Sequence, residues 1–329
     1  MFSNRLEFTA EWYKNRSEDL LYGVPVPEQA GVSNTSVTMN AASMDNSGFE
    51  FSALYRNRDH ALKYEISANL STLKNKVTSL GFGTTSFITG AYATYVGQEI
   101  GQFYGWEFEG IARTQDDLDN HATQQGANIG DCLYKDVSGI DGVPDGKIDE
   151  HDQVVLGSGL PKVNFGINAH LEYKGFDMSI ATYGALNFHV SDDIYNSLNS
   201  AYGWGNRDVA MLDANRYSED GLTYLSSVPR TYATNNATLP WNDLFSSRKI
   251  QNAAYWKIAN LELGYNFPDK WFGGLVTNVR AYVSGQNIYT FTGYHGYNVD
   301  YAGGTFTPGY NFCSFPSTRS FMCGLHFTF

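Results

Sequence analysis

The side chains best suited to chemistry lie in one short acidic segment of the sequence. Counted as a calcium-binding loop, positions 1, 5, 9 and 12 are Asp141, Asp145, Asp149 and Asp152, and position 7 offers the carbonyl of Lys147. Calcium prefers several hard oxygen ligands at this rhythm, because one short loop must wrap the ion. Position 3 is Val143, which carries no side-chain oxygen. A structural Ca²⁺ is therefore one prediction, and an acidic turn with solvated carboxylates is the alternative.

Aromatic residues between the regular elements form a second candidate site. The residues concerned are Tyr104, Trp106, Tyr195, Trp204, Trp241 and Tyr297. An aromatic ring beside polar side chains offers an apolar face and a polar edge, which is how proteins usually hold sugar rings. These residues are predicted to contact a ligand, and packing of the loops on one another is the alternative.

The other reactive residues show no arrangement typical of an enzyme. The seven histidines have no HxxH or HExxH spacing, and no GxSxG sequence is present. No catalytic residue is predicted, and the protein is not expected to be an enzyme. The three cysteines form no CxxC pair, and a single bridge between Cys132 and Cys313 stays open as an alternative.

Charge and composition exclude several classes of protein. With 22 basic and 34 acidic residues the net charge is −12, so nucleic acid is not an expected partner, because phosphate backbones are bound through cationic contacts. No run of about 18 apolar residues is present, so no membrane-spanning helix is predicted. The N-terminus shows no basic stretch followed by an apolar one, and hence no export signal. Either the protein stays inside the cell, or the chain is the later part of something longer.

Apolar residues recur at every second position along most of the chain, which is the period of a β-strand with one apolar face. In the last segment, Phe321, Leu325 and Phe329 lie on one face, while Ser320 and His326 lie on the other. The same alternation predicts eight strands, at residues 6–12, 49–55, 62–70, 163–173, 176–180, 254–266, 276–289 and 320–329. The chain is therefore expected to be all-β.

The connections between these strands alternate strictly between short and long. The long ones are predicted at approximately 15–46, 78–161, 186–252 and 291–317. In an antiparallel sheet, this alternation places every long loop at the same end. The strands run about ten to fifteen residues, with aromatic residues at the ends of several apolar faces. Strands of this length, with loops that are long at one end only, are typical of outer-membrane β-barrels. Outer-membrane lipid is then an expected partner.

Six segments of the sequence form a recognisable series: Val96 to Trp106, Asp145 to Asp149, Tyr173 to Asp177, Leu261 to Tyr265, Val283 to Asn287 and Pro316 to Phe321. Together they resemble the C-terminal barrel of the SusC/RagA-like family of TonB-dependent receptors. Each segment is a weak signal alone, and their common order and spacing make the signal specific. The resemblance covers nearly the whole chain.

The resemblance implies a 22-stranded transmembrane barrel, of which residues 1–329 would supply about the last eight strands. It implies import of an oligosaccharide or oligopeptide across the outer membrane of a Gram-negative, Bacteroidetes-like cell. The expected partners are a SusD-like surface lipoprotein and the TonB complex, the latter acting through an N-terminal plug domain and TonB box that this sequence does not contain.

Two other functions stay open at this point. The first is an autonomous small outer-membrane barrel that acts as an adhesin or binding module. The second is a secreted all-β enzyme that acts on glycans. An in-frame plug and fourteen more strands encoded upstream would favour the transporter over the former, and the latter requires solubility without detergent.

Overall fold

Eight long strands form the framework of the molecule. The computed structural model describes residues 5–25, 36–81, 83–139, 141–201, 206–231, 241–271, 276–300 and 303–329. The long strands are β1 (Leu6–Pro25), β2 (Ser36–Asn57), β3 (Leu62–Thr72), β11 (Val163–Tyr173), β12 (Phe176–Leu186), β15 (Tyr255–Phe267), β16 (Asn278–Thr292) and β20 (Ser320–Thr328). They pair antiparallel in this order in one sheet, and β4 (Lys74–Ser79) adds a further strand beside β2. The prediction of an all-β antiparallel fold is confirmed.

The short connections fall at one end of the sheet and the long ones at the other, because each long strand pairs with the next along the sheet. The predicted two-residue hairpin between β11 and β12 is present. Lys174 and Gly175 have φ angles of 49° and 88°, which is the combination that a type I′ turn requires. This turn type follows the right-handed twist of the strands that it joins.

The pairing register carries one apolar face across the whole sheet. Tyr173 lies opposite Phe176, Phe176 opposite Tyr265, Tyr265 opposite Ala281 and Ala281 opposite Leu325. A shift of one residue in any pair would move the apolar side chains of that strand to the other face. The alternation that predicts the strands is therefore also what fixes their register.

This apolar face is uncovered. Phe8 is 66 % exposed, Phe176 is 62 % exposed and Leu325 is 63 % exposed. Soluble monomers rarely expose apolar patches beyond a few hundred Å². The face runs across all eight long strands, so its natural surroundings are apolar.

The opposite face carries charged and amide side chains that pair across the strands. Arg280 of β16 bonds to Asp177 of β12 through Nε at 3.0 Å and to Glu262 of β15 at 2.6 Å. Lys63 of β3 lies 3.4 Å from the Glu172 carboxylate of β11. These contacts link adjacent strands, and in the case of Arg280 and Asp177 two strands on either side of β15, so this face of the sheet is polar.

The predicted loop over residues 15–46 is wrong for most of its length. β1 and β2 stay paired from Leu6 with Tyr55 out to Pro25 with Ser36, with irregularities between Ser17 and Leu21. A strand that crosses a bilayer needs about 9–11 residues, whereas β1 has 20. The hairpin therefore continues as a two-stranded ribbon beyond the sheet, and β4 supports it through pairing with Ser43–Ser47 of β2.

The remaining long connections contain small sheets and short helices of their own. The strands are β5 (Ser86–Thr89), β6 (Tyr92–Tyr95), β7 (Gln102–Trp106), β8 (Phe108–Ile111), β9 (Cys132–Tyr134), β10 (Gln153–Ser158), β13 (His189–Asp192), β14 (Gln251–Asn252), β17 (Gly303–Gly304), β18 (Thr307–Pro308) and β19 (Tyr310–Asn311). The α-helices are α1 (Gln115–Asp119) and α2 (Asp193–Leu198), and 3₁₀ turns lie at Glu150–Asp152, Val209–Asp213, Trp241–Asp243, Ser247–Lys249 and Asp269–Trp271. No helix within the described ranges is long and apolar enough to cross a membrane.

These loops share buried apolar clusters, so they form one assembly at the end of the sheet. One cluster joins Cys132, Tyr134, Ile148 and Trp241 from two different connections. A pairing of β13 with β19 brings the connection after β12 against the connection after β16. We call residues 83–139, 141–161, 187–201, 206–231, 241–253 and 293–300 together with 303–317 the loop assembly.

Candidate functional site

Hydrogen bonds between carboxylates and backbone N–H groups hold the acidic segment 141–152 in place. Asp152 is fully buried, and its Oδ1 accepts hydrogen bonds from the backbone N–H groups of Val137 (2.9 Å) and Ser138 (3.2 Å). Its Oδ2 accepts from the Asp149 N–H at 2.8 Å. The backbone N–H groups of three residues are thus held by one carboxylate, which makes Asp152 the structural centre of the segment.

The other predicted calcium ligands point to local partners as well. Asp145 accepts from the Lys147 N–H at 3.0 Å, and Asp149 accepts from the His151 N–H at 2.8 Å. The latter bond is the main reason why the pKa of Asp149 lies below its usual value, and the Asp149 carboxylate in turn raises the pKa of His151. Asp141 is exposed.

These carboxylates do not surround a common position where an ion could bind. Within the described ranges, no group of three or more His, Cys, Asp or Glu side chains is placed to hold a metal ion. The bonds described above favour the alternative, an acidic turn stabilised by its own backbone. Calcium binding remains a prediction, whose test is a calorimetric titration with Ca²⁺.

Two of the predicted ligand-binding aromatics belong to a buried cluster of the loop assembly. The ring of Tyr134 lies between Trp106 and Trp241, with centroid distances of 6.4 and 6.2 Å. The indole N–H groups donate to the backbone carbonyls of Asp149 and Gln125, each at 2.9 Å. Trp241 is only 4 % exposed. Both tryptophans therefore pack within the loop assembly, which is consistent with the alternative, and ligand contact by either remains a prediction.

Of the other predicted aromatic residues, two contact neighbouring rings and one is exposed to solvent. Tyr104 meets the edge of Tyr95 at 6.3 Å, and Tyr195 stacks on His295 at 5.8 Å with an angle of 14° between the rings. Trp204 lies outside the described residues. Tyr297 is 61 % exposed and lines a cavity.

This cavity of about 350 Å³ lies at the rim where the loop assembly meets the long strands, and most of its lining is polar. It lies where β16 and β20 stop pairing, after Gln286 opposite Ser320. Beyond that point β16 continues against β15 alone, and segment 296–299 lies beside the gap. The volume falls within the usual range for small-molecule sites.

Buried polar contacts hold the wall of this cavity in place. Lys257 of β15 is paired with Asp300, and the Tyr183 hydroxyl of β12 donates to the same carboxylate at 3.1 Å. Nearby, the Tyr294 hydroxyl donates to Asp192, and Asn311 donates to the same carboxylate at 2.8 Å. Burial raises the pKa of Tyr294, so this hydroxyl stays protonated at ordinary pH. The last connection is thus fixed to two strands and to the preceding connection.

Sequence reasoning missed the cavity itself. Arg319 lines it and belongs to the Pro316 to Phe321 segment that resembles the receptor family, which was the available signal. Asn298 lines it too, and its side-chain oxygen accepts from the Asp300 N–H at 2.9 Å. The open alternative of a Cys132–Cys313 bridge is not realised, because both cysteines are free.

Comparisons with known proteins agree with this architecture. No family model matches the chain. The chain is 32 % identical to TonB-dependent receptor P3 of Formosa agariphila, over the whole chain and 33 % of that protein. It is 23 % identical to TonB-dependent receptor SusC of Bacteroides thetaiotaomicron, over 99 % of the chain and 30 % of that protein. The chain spans about a third of the length of these relatives.

Solved structures show the same fold. One match is the RagAB peptide transporter, with a TM-score of 0.77 at 20 % identity over 99 % of this chain and 33 % of that chain. Another is the RagAB peptide importer in its open-open state, with a TM-score of 0.75 at 21 % identity over 100 % of this chain and 33 % of that chain. At such identity the likeness concerns the fold alone.

Proposed function

Because the chain belongs to the SusC/RagA-like family of TonB-dependent receptors, we propose that it forms about a third of the wall of an outer-membrane transport barrel. The observation that carries the proposal is the register, which keeps one apolar face continuous across eight long strands. That face suits lipid, and the charged face behind it suits a water-filled interior. On this proposal the loop assembly lies outside the cell.

The open sheet argues against an autonomous small barrel. In the described chain β1 and β20 are the two ends of the strand order and do not pair with each other. Unpaired strand edges inside a bilayer cost several kcal/mol per backbone group. We propose that further strands close the barrel, with β1 to β20 as its C-terminal part in a wall of about 22 strands.

Substrate and partners follow from the family. We propose import of an oligosaccharide or an oligopeptide, assembly with a SusD-like surface lipoprotein, and energy supplied through the TonB complex. The names of the relatives support the TonB dependence, and the RagAB structure is that of a peptide transporter. No chemical step is assigned to the chain, because the relatives are receptors and transporters.

The proposal is tested by uptake in cells that do and do not express the protein. Growth on a panel of oligosaccharides and peptides as sole nutrient is compared in TonB-positive and TonB-negative hosts. We expect growth on at least one compound to require both the protein and TonB. Growth that needs the protein but not TonB, or release of the protein from membranes without detergent, would contradict the proposal.

A further inference from the structure

The cavity at the rim of the sheet has an unusual charge for this chain. Two cations line it, Lys257 and Arg319, and among the residues that the structure describes no Asp or Glu belongs to the lining. The chain as a whole has 34 acidic against 22 basic residues. Both charged residues of this otherwise neutral lining are cations, in contrast to the acidic excess of the chain, and this charge favours an anionic occupant.

The two cations differ in what they already bind. Lys257 is paired with Asp300, so its charge is neutralised from behind the cavity wall. Arg319 is exposed and has no ion pair or side-chain hydrogen bond within the residues that the structure describes. Its guanidinium presents a planar set of N–H donors that matches the two oxygens of a carboxylate.

Neighbouring side chains add donors and an aromatic surface. The Asn298 oxygen already accepts from the Asp300 N–H (2.9 Å) and the Ser317 hydroxyl (3.1 Å), which leaves its NH₂ group for a ligand. Asn287 donates to the Thr318 carbonyl at 2.9 Å and so fixes the backbone next to Arg319. The exposed ring of Tyr297 offers a flat apolar face beside these donors.

We infer that this cavity binds a carboxylate of the transported compound. Arg319 forms an ion pair with this carboxylate, and Tyr297 packs against the sugar ring or side chain that carries the carboxylate. The inference rests on the proposed transport function and adds a substrate class to it, an acidic oligomer. A carboxylate of this kind occurs in a uronic acid and in a peptide, and the choice between these two sources is part of the test.

The test uses protein purified in detergent from membranes of cells that express it, and calorimetry with two pairs of probes. One pair is an oligogalacturonate and its methyl ester, and the other is a short peptide with a free C-terminus and its amide. We expect one acid to bind at least about tenfold more tightly than its neutral counterpart, because only the acid can form charge-assisted hydrogen bonds with the guanidinium of Arg319. The acid that does so identifies the source.

Variants assign the effect to the cavity. Arg319→Gln is expected to weaken the acid by about tenfold and leave the neutral probe unchanged, whereas Arg319→Lys retains part of the preference as a point charge. The matched control is Arg16→Gln, since Arg16 lies on the ribbon and pairs with exposed Glu18. It should change neither probe.

Several results would overturn the inference. These are equal binding of acid and neutral probe by the unaltered protein, no binding of either acid at millimolar concentration, and unchanged acid preference in Arg319→Gln. If both Arg319→Gln and Arg319→Lys reduce the amount of assembled protein, Arg319 pairs with a carboxylate elsewhere in the protein, and the inference is also wrong. If TonB-dependent uptake is the same in the Arg319 variants as in the unaltered protein, this inference is wrong and the transport proposal is unaffected.

Discussion

The long-stranded sheet and the loop assembly differ in the exposure of their large apolar side chains. The sheet displays Phe8, Phe176 and Leu325 on an open face, whereas the loop assembly buries Phe103 and Tyr134 almost completely. A protein surrounded by water on all sides would bury both sets. The difference indicates that the loop assembly folds as a water-soluble body does, while the sheet depends on hydrocarbon around it.

The loop assembly should therefore lose stability when its own core is opened. Trp241→Ala removes a buried ring that packs on Tyr134, and we expect a loss of about 3–5 kcal/mol in the local stability of the assembly. Hydrogen exchange and limited proteolysis of residues 83–161 measure this loss. Heat-modifiable gel migration, which reports the assembled barrel, should not change.

The matched control for this prediction is Phe315→Ala, because Phe315 is an exposed aromatic residue of the same assembly. It should leave protease sensitivity unaltered. Equal protease sensitivity of the two variants would show that burial of Trp241 does not stabilise the loop assembly. Failure of Trp241→Ala to assemble would show that the sheet depends on the core of the loop assembly.

The sheet should respond to charge on one face only. Ile66→Arg places a cation near the middle of the apolar face of β3 and should cost about 2–4 kcal/mol in a bilayer. Ser67→Arg places the same cation one residue later on the wet face, and its cost should be about 1 kcal/mol or less. Folding in lipid vesicles, followed by urea titration, gives both values. Equal costs would show that Ile66 and Ser67 face similar surroundings.

The ribbon beyond the sheet should be the least sensitive region. Arg16 and Glu18 form an ion pair at 2.8 Å in which both side chains are more than half exposed. Removing it with Arg16→Gln should change stability by less than about 1 kcal/mol. The same urea titration checks this value. A larger loss would mean that the ribbon packs against another part of the protein.

The same contrast explains which features the sequence could predict. The eight long strands are readable because one face of each meets an apolar medium and the other meets water, so residue type follows position with period two. The ribbon was missed because it lies beyond the sheet, where Val37, Thr38, Met39 and Asn40 are all exposed and neither face meets a distinct medium. The short alternation of Val37 and Met39 with polar residues was therefore not extended to a strand.

The candidate sites were harder to predict, because they depend on contacts between distant segments. Tyr134 and Trp241 are 107 residues apart in the sequence and meet only in the fold. Nothing in the types or spacing of these residues distinguishes a packed tryptophan from one that binds a sugar. The rim cavity likewise exists only because β16 and β20 diverge, which alternation alone does not indicate.

The most direct test of the membrane-facing sheet is the reaction of the three cysteines with a membrane-impermeant maleimide in membrane-bound protein, mapped by mass spectrometry. Cys313 lies exposed in the loop assembly and Cys323 lies exposed on the apolar face of β20. Cys132 is buried, and burial raises the pKa of its thiol to about 12. We predict that Cys313 alone is labelled, and that all three react after denaturation in detergent. Labelling of Cys323 as fast as Cys313 would show that the apolar face meets water and would contradict the account.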